Sequence, residues 1–152
     1  MASKIIIRIA QKEDLPGILH LYGQLEVDSG DILPLDDAEN LFDKISQYPN
    51  YKIYVACQGR SIIGTFALLI MDNLAHRGAK SGIVEDVVVS PEWQGRGLGR
   101  QMMELAMAEC RKYDCYKLVL SSNKKREDAH RFYESLGFQK HGYSFVVEFV
   151  DG

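Results

Sequence analysis

An apolar run, a glycine-rich turn and an amphipathic stretch follow one another without interruption in the second half of the chain. The run is Ile83-Val84-Glu85-Asp86-Val87-Val88-Val89, and the turn is Ser90-Pro91-Glu92-Trp93-Gln94-Gly95-Arg96-Gly97-Leu98-Gly99-Arg100. The β-branched run predicts a strand, which Pro91 ends because proline cannot donate to a ladder. Beyond the turn, Leu98, Met102, Leu105, Ala106 and Cys110 recur at helical spacing and predict a helix running to Tyr113. Three glycines in five residues leave the backbone open to close approach by a ligand or a packed neighbour. They lie where the first N–H groups of a helix lack internal partners and the positive end of its dipole favours an anion. Arg96 and Arg100 add charge-assisted donors. Strand, turn and helix together predict an anion cradle, with a tight packing turn as the alternative.

The spacing removes two nucleotide sites. A P-loop requires Gly-x-x-x-x-Gly-Lys-Ser/Thr, and no such string occurs. A dinucleotide fingerprint requires Gly-x-Gly-x-x-Gly early in a βαβ unit, whereas Gly95-x-Gly97-x-Gly99 is differently spaced and late. A formal net charge of −3 argues against a nucleic-acid partner. Three cysteines (Cys57, Cys110, Cys115) form no disulfide framework, and neither they nor the scattered histidines have the spacing of a zinc site, so no metal is expected. Ile5-Ile6-Ile7 is too short for a secretory leader, and no apolar stretch approaches the ~18 residues of a membrane span. A cytoplasmic protein without a membrane partner is the expectation.

The 152 residues contain no repeat or linker and predict a single domain, 1–152. Lys4 to Ala10 reads as a strand. Leu15, Ile18, Leu19, Tyr22 and Leu25 mark a first helix with Pro16 in its first turn. After a loop from Glu26 to Pro34, Ala38, Leu41, Phe42 and Ile45 mark a second helix. Tyr51 to Cys57 and Ile62 to Met71 form a hairpin around Gln58-Gly59-Arg60. Tyr116 to Leu120 is a further strand. Ala129, Phe132, Tyr133 and Leu136 mark a last helix from Arg126, with Gly137 placed to cap it. A short strand at Phe138–Lys140 and a terminal strand from Tyr143 to Val150 complete the pattern. The order βααβββαβαβ predicts an α/β (α+β mixed) fold: a mixed, mostly antiparallel central sheet with helices on both faces.

Gln94, Gly97 and Gly99 after a strand resemble the cofactor loop of the GNAT superfamily of N-acetyltransferases, Gln/Arg-x-x-Gly-x-Gly/Ala. The segment from Asn123 through Ala129, Phe132, Tyr133, Gly137 and Phe138 resembles the family's Asn…Ala-x-x-Phe-Tyr-x-x-x-Gly-Phe. Within it, Ser121 to Tyr133 is similar to aminoalkylphosphonate N-acetyltransferases. Val84 to Val89 and Cys115 to Leu120 are similar to glucosamine-6-phosphate N-acetyltransferases. The resemblance implies acetyl-CoA as cosubstrate and direct acetyl transfer to an amine, without an acyl-enzyme. It places the pyrophosphate on Gln94, Gly95, Arg96, Gly97, Leu98, Gly99 and Arg100. Backbone groups of Val87, Val88 and Val89 and the amide of Asn123 would meet the pantetheine, with Ala129 and Phe132 packing against the cofactor.

Such chemistry needs a base for the amine and an acid for the departing thiolate. Two carboxylates in an otherwise apolar strand are costly without a use or a partner. Glu85 and Asp86 are therefore the base or water-relay candidates, turned to opposite faces by strand alternation. A salt bridge at the sheet rim is the alternative. Tyr133 is the acid that the resemblance implies; its periodicity alone fits a core tyrosine. The cysteines read as structural. The expected partner is a small-molecule amine, which both resemblances make anionic, with His76 or Arg77 as candidate contacts or as solvated loop charges. A non-catalytic acyl-CoA-binding module and a protein or peptide N-acetyltransferase are the rivals. The terminal strand is apolar on both faces, which fits either a central strand or an edge that pairs with a second copy to form a homodimer.

Overall fold

The computed structural model describes residues 4–24, 31–122 and 124–149. The chain forms two compact units, residues 1–120 and 121–152.

The first unit runs β1 (Ile5–Ile9), α1 (Leu15–Gln24), α2 (Leu35–Ile45), β2 (Tyr51–Gln58), β3 (Ser61–Met71), β4 (Lys80–Val89), α3 (Leu98–Lys112) and β5 (Cys115–Val119). Its sheet has the order β1-β2-β3-β4-β5, antiparallel except for the parallel β4–β5 pair. Every element predicted in this unit is present. Leu25 and most of the predicted Glu26–Pro34 loop (residues 25–30) lie outside the described residues, and 31–34 carry no regular structure.

Alternation along β2 assigns the helices to opposite faces. Val55 and Cys57 bury themselves with Leu15, Ile18 and Leu19 of α1 and Ala38 of α2. On the other face, Tyr54, Leu68 and Ile70 line a small cavity with Glu109 of α3 and Tyr113 just beyond its end. Met102, Met103 and Ala106 of α3 are wholly buried. The two methionines contribute about 1.5–3 kcal/mol each when fully buried. β1 is tied to the start of α1 by Asp14. Its carboxylate accepts from both terminal nitrogens of Arg8 (2.7 and 2.9 Å) and from the Gln11 N–H (2.7 Å).

β4 is not a regular strand. Thr65 pairs with Val88 but Ala67 pairs with Glu85, leaving Asp86 and Val87 opposite Phe66 alone. This is a β-bulge, and Asp86 takes φ +53 within it.

In the second unit, α4 (Glu127–Ser135) ends as its sequence predicts. Gly137 has φ +100, its N–H bonds the Glu134 carbonyl, and the Phe138 N–H bonds the Tyr133 carbonyl. This is a Schellman motif. The two strands predicted after it do not form: residues 138–149 contain no strand, and Val150 lies outside the described residues. A strand needs a ladder partner, which β-propensity cannot replace. The side chains of Tyr143, Phe145, Val146, Val147 and Phe149 are exposed instead.

Candidate active site

The turn after β4 is built by local rules. Pro91 to Trp93 make one tight helical turn, closed by the Trp93 N–H on the Ser90 carbonyl at 2.9 Å. Gly95 and Gly97 then take φ +75 and +84, a region that costs an L-residue roughly 1–2 kcal/mol. A Cβ on either would meet nothing within 4 Å. Backbone conformation, and not close packing, therefore demands these two glycines. Gly97 caps α3, whose first bond is Gln101 N–H to the Gly97 carbonyl. The N–H groups of Leu98, Gly99 and Arg100 precede that bond and lack helical acceptors. Leu98 is buried by its side chain, so only its backbone can face a ligand.

The polar side chains of the turn are engaged locally. The Gln94 amide donates to the Val89 carbonyl at 3.2 Å and fastens the turn to the end of β4. Arg96 lies over the Trp93 ring, 3.9 Å from its centroid. Arg100 approaches Glu104 at 3.8 Å, one helical turn away.

Beside the turn, β4 has a free edge. Its ladder with β5 runs only from Lys80 to Ile83, so Val87–Val89 lie beyond that ladder among the described residues. Such an edge can pair with the amides of an extended ligand. Val88 is buried and offers backbone only; Val87 and Val89 are half-buried.

The two carboxylates lie at the bulge, where regular alternation is interrupted, and both side chains are exposed. Both act electrostatically on one group, the Tyr51 phenol. Burial, first, and then Asp86 and Glu85 push that phenol above its ordinary value. Tyr51 and Glu85 occupy the same sheet face, because Tyr51 pairs through Leu69 to Ile83 and Ile53 through Ala67 to Glu85. Sequence alone singled out neither Tyr51 nor the bulge; the tolerance of aspartate for positive φ was the available signal.

In the second unit, Ala129, Phe132 and Tyr133 are half-buried. The Tyr133 ring meets Phe138 edge-on at 5.7 Å and Phe132 at 5.2 Å. The Phe138 contact is the apolar clasp that accompanies a Schellman end. Burial pushes the Tyr133 phenol up, against a smaller opposing effect of Arg126. The phenol is therefore a proton donor throughout the neutral range. Asn123 lies outside the described residues. Burial, with Cys115 beside it, pushes the Cys110 thiol up to about 12, far from the ionised form that a nucleophile needs. Among the described residues no three His, Cys, Asp or Glu side chains gather in a metal-holding group.

A left-handed glycine cradle at a helix start, two exposed arginines and an unpaired strand edge fit a long cofactor carrying a pyrophosphate and amide groups. Residues 18–138 match the model of the acetyltransferase (GNAT) family. The chain is 33% identical over 140 residues to a glucosamine 6-phosphate N-acetyltransferase of Trypanosoma brucei brucei, covering 89% of each chain. It is 30% identical over 142 residues to an aminoalkylphosphonate N-acetyltransferase of Salmonella typhimurium, covering 92% of this chain and 88% of that one. Its fold is similar to the crystal structure of glucosamine-6-phosphate N-acetyltransferase from Arabidopsis thaliana, with TM-score 0.85 and 26% identity over 97% of this chain and 100% of that one. The chain belongs to the GNAT acetyltransferase family and is an acyltransferase, with acetyl-CoA the cosubstrate that membership implies.

Proposed function

We propose that the protein moves acetyl from acetyl-CoA directly to the primary amine of a small, anionic molecule, residues 1–152 acting as one catalytic domain. The observation that carries this reading is the turn Gln94–Arg100, whose glycines are held left-handed and open at the start of α3. In this mechanism the turn and the helix N–H groups hold the pyrophosphate. The free edge of β4 at Val87–Val89 pairs with pantetheine amides, and Asn123, Ala129 and Phe132 line the cofactor. Glu85 or Asp86, directly or through water, takes a proton from the substrate ammonium. The neutral nitrogen attacks the thioester carbon, the C–S bond breaks, and the sulfur receives the Tyr133 phenolic proton; the surplus proton on the acylated nitrogen leaves through water and restores the phenol, giving the neutral amide and the free thiol. An anionic acceptor is supported by the relatives named for an amino-sugar phosphate and for aminoalkylphosphonates. Of the two basic candidates, His76 is stacked on Tyr116 at 4.3 Å, which leaves Arg77 as the proposed contact. The active form is proposed to be a cytoplasmic homodimer.

The test is thiol release from acetyl-CoA across amino-sugar phosphates, aminophosphonates, polyamines and peptides. Turnover is expected with phosphorylated or phosphonylated amines. Turnover with peptides alone would assign a protein acetyltransferase, and binding without turnover a non-catalytic module. Tyr133→Phe is expected to lower kcat by about 10²-fold, within the range for a lost general acid. Because burial raises that phenol, the native rate should show no basic-limb loss from it until above the ordinary tyrosine value near 10. Unchanged turnover in Tyr133→Phe at all pH values removes it as the acid.

A further inference from the structure

We propose that Trp93 is a positioning residue for cofactor binding, holding the Arg96 guanidinium ready for the pyrophosphate. The inference rests on Gln94–Arg100 being the cofactor cradle.

Arg96 stands between the two left-handed glycines, where the backbone is open and a long side chain has few neighbours to restrain it. It nonetheless lies over the Trp93 ring, 3.9 Å from the centroid, with one long contact of 3.5 Å from its Nη1 to the Glu92 carbonyl. Trp93 is itself half-buried, and its backbone is set by the tight turn Pro91–Trp93, which places the ring beneath Arg96. A guanidinium stacked by its face keeps the N–H groups of its edge directed outward, the part that engages phosphate oxygens in pairs. Stacking also removes rotamer freedom before the ligand arrives, so less entropy is lost on binding. A lysine here would lack both the planar face and the paired donors.

Trp93 is the only tryptophan of the chain, so tryptophan emission reports on the surroundings of this ring. The experiment measures CoA affinity by calorimetry, with thermal midpoints as a folding control, in the native protein and in Trp93→Leu, Trp93→Phe, Arg96→Ala and the Trp93→Leu/Arg96→Ala double variant. Trp93→Leu is expected to weaken CoA about three- to tenfold, the range of a cation–π contact that becomes partly desolvated. Trp93→Phe should restore most of the loss, since a face remains. Once Arg96 is gone, removing Trp93 should cost little more. Losses that multiply in the double variant, a phenylalanine as poor as leucine, or full affinity in Trp93→Leu each overturn the proposal. If Trp93→Leu does not fold, emission decides. CoA is expected to change native fluorescence and to change it much less at saturation in Arg96→Ala; equal changes overturn the proposal. Failure of the native protein to bind CoA at all instead refutes the cradle reading beneath it.

Discussion

Asp86 holds a left-handed backbone within the bulge of β4. A non-glycine residue at φ +53 inside a strand is rare, and aspartate tolerates it better than most because its short side chain can bond locally. Both carboxylates at this bulge are exposed, and both act on the Tyr51 phenol. Strain kept at such a point suggests that the side chain is worth more than the conformation costs. Stability and chemistry can be separated here. Asp86→Gly should be more stable than Asp86→Ala by about 1–2 kcal/mol, since glycine alone is at ease in the left-handed region. Both variants remove the carboxylate equally. If Asp86 is the base or holds its water, the two should lose kcat alike in thiol-release assays despite different urea midpoints. Activity that instead follows stability would give Asp86 a structural role only and leave Glu85, tested as Glu85→Gln, as the base.

At the level of elements, the junction of β1 and α1 depends on one carboxylate. Asp14 is buried, and its pKa is lowered, first by the Arg8 hydrogen bonds and then by the Gln11 N–H, against an opposing desolvation. Folding therefore favours the ionised form. The stabilisation is present above the unfolded value near 3.9 and is lost as pH falls through the lower folded value. Asp14→Asn should destabilise by about 1–3 kcal/mol at pH 7, the cost of leaving partly buried donors poorly paired. Arg8 is more exposed than its partner, which places the effect toward the lower end. Urea unfolding at pH 7 and pH 3 should show the gap between variant and native protein narrowing in acid; a constant gap would contradict the assignment. Elements of this kind were legible because their signals are local. Pro16, the periodic apolar residues of α1 and α3, and Gly137 each state a boundary within a few residues. The bulge at Asp86 was illegible because it is a relation between strands, visible only when Thr65 and Ala67 find their partners. The stacking of Arg96 on Trp93 was likewise hidden: both residues were in view, but the turn that joins them was not.

For the whole molecule, the largest departure from expectation lies after α4. The apolar pattern from Tyr143 onward was visible, but what it packs against could not be read from it. In the structure Tyr143, Phe145, Val147 and Phe149 alternate with Ser144, Val146 and Glu148, and every one of the large apolar side chains is exposed. Such a segment is poised to pair and has no ladder among the described residues. A second copy is the partner proposed above, and the magnitudes permit it. Each large apolar side chain removed from water contributes about 1.5–3 kcal/mol. Twofold symmetry counts each of them twice, against a cost of association of ~4–15 kcal/mol. Sedimentation should therefore find the full chain dimeric and a chain ending at Gly142 monomeric. Phe145→Lys with Phe149→Lys should shift the full chain toward monomer, because two desolvated charges would meet across the interface. A full-length chain that sediments as a monomer at its highest soluble concentration would sink the proposal. An equally dimeric truncated chain would move the interface off this segment.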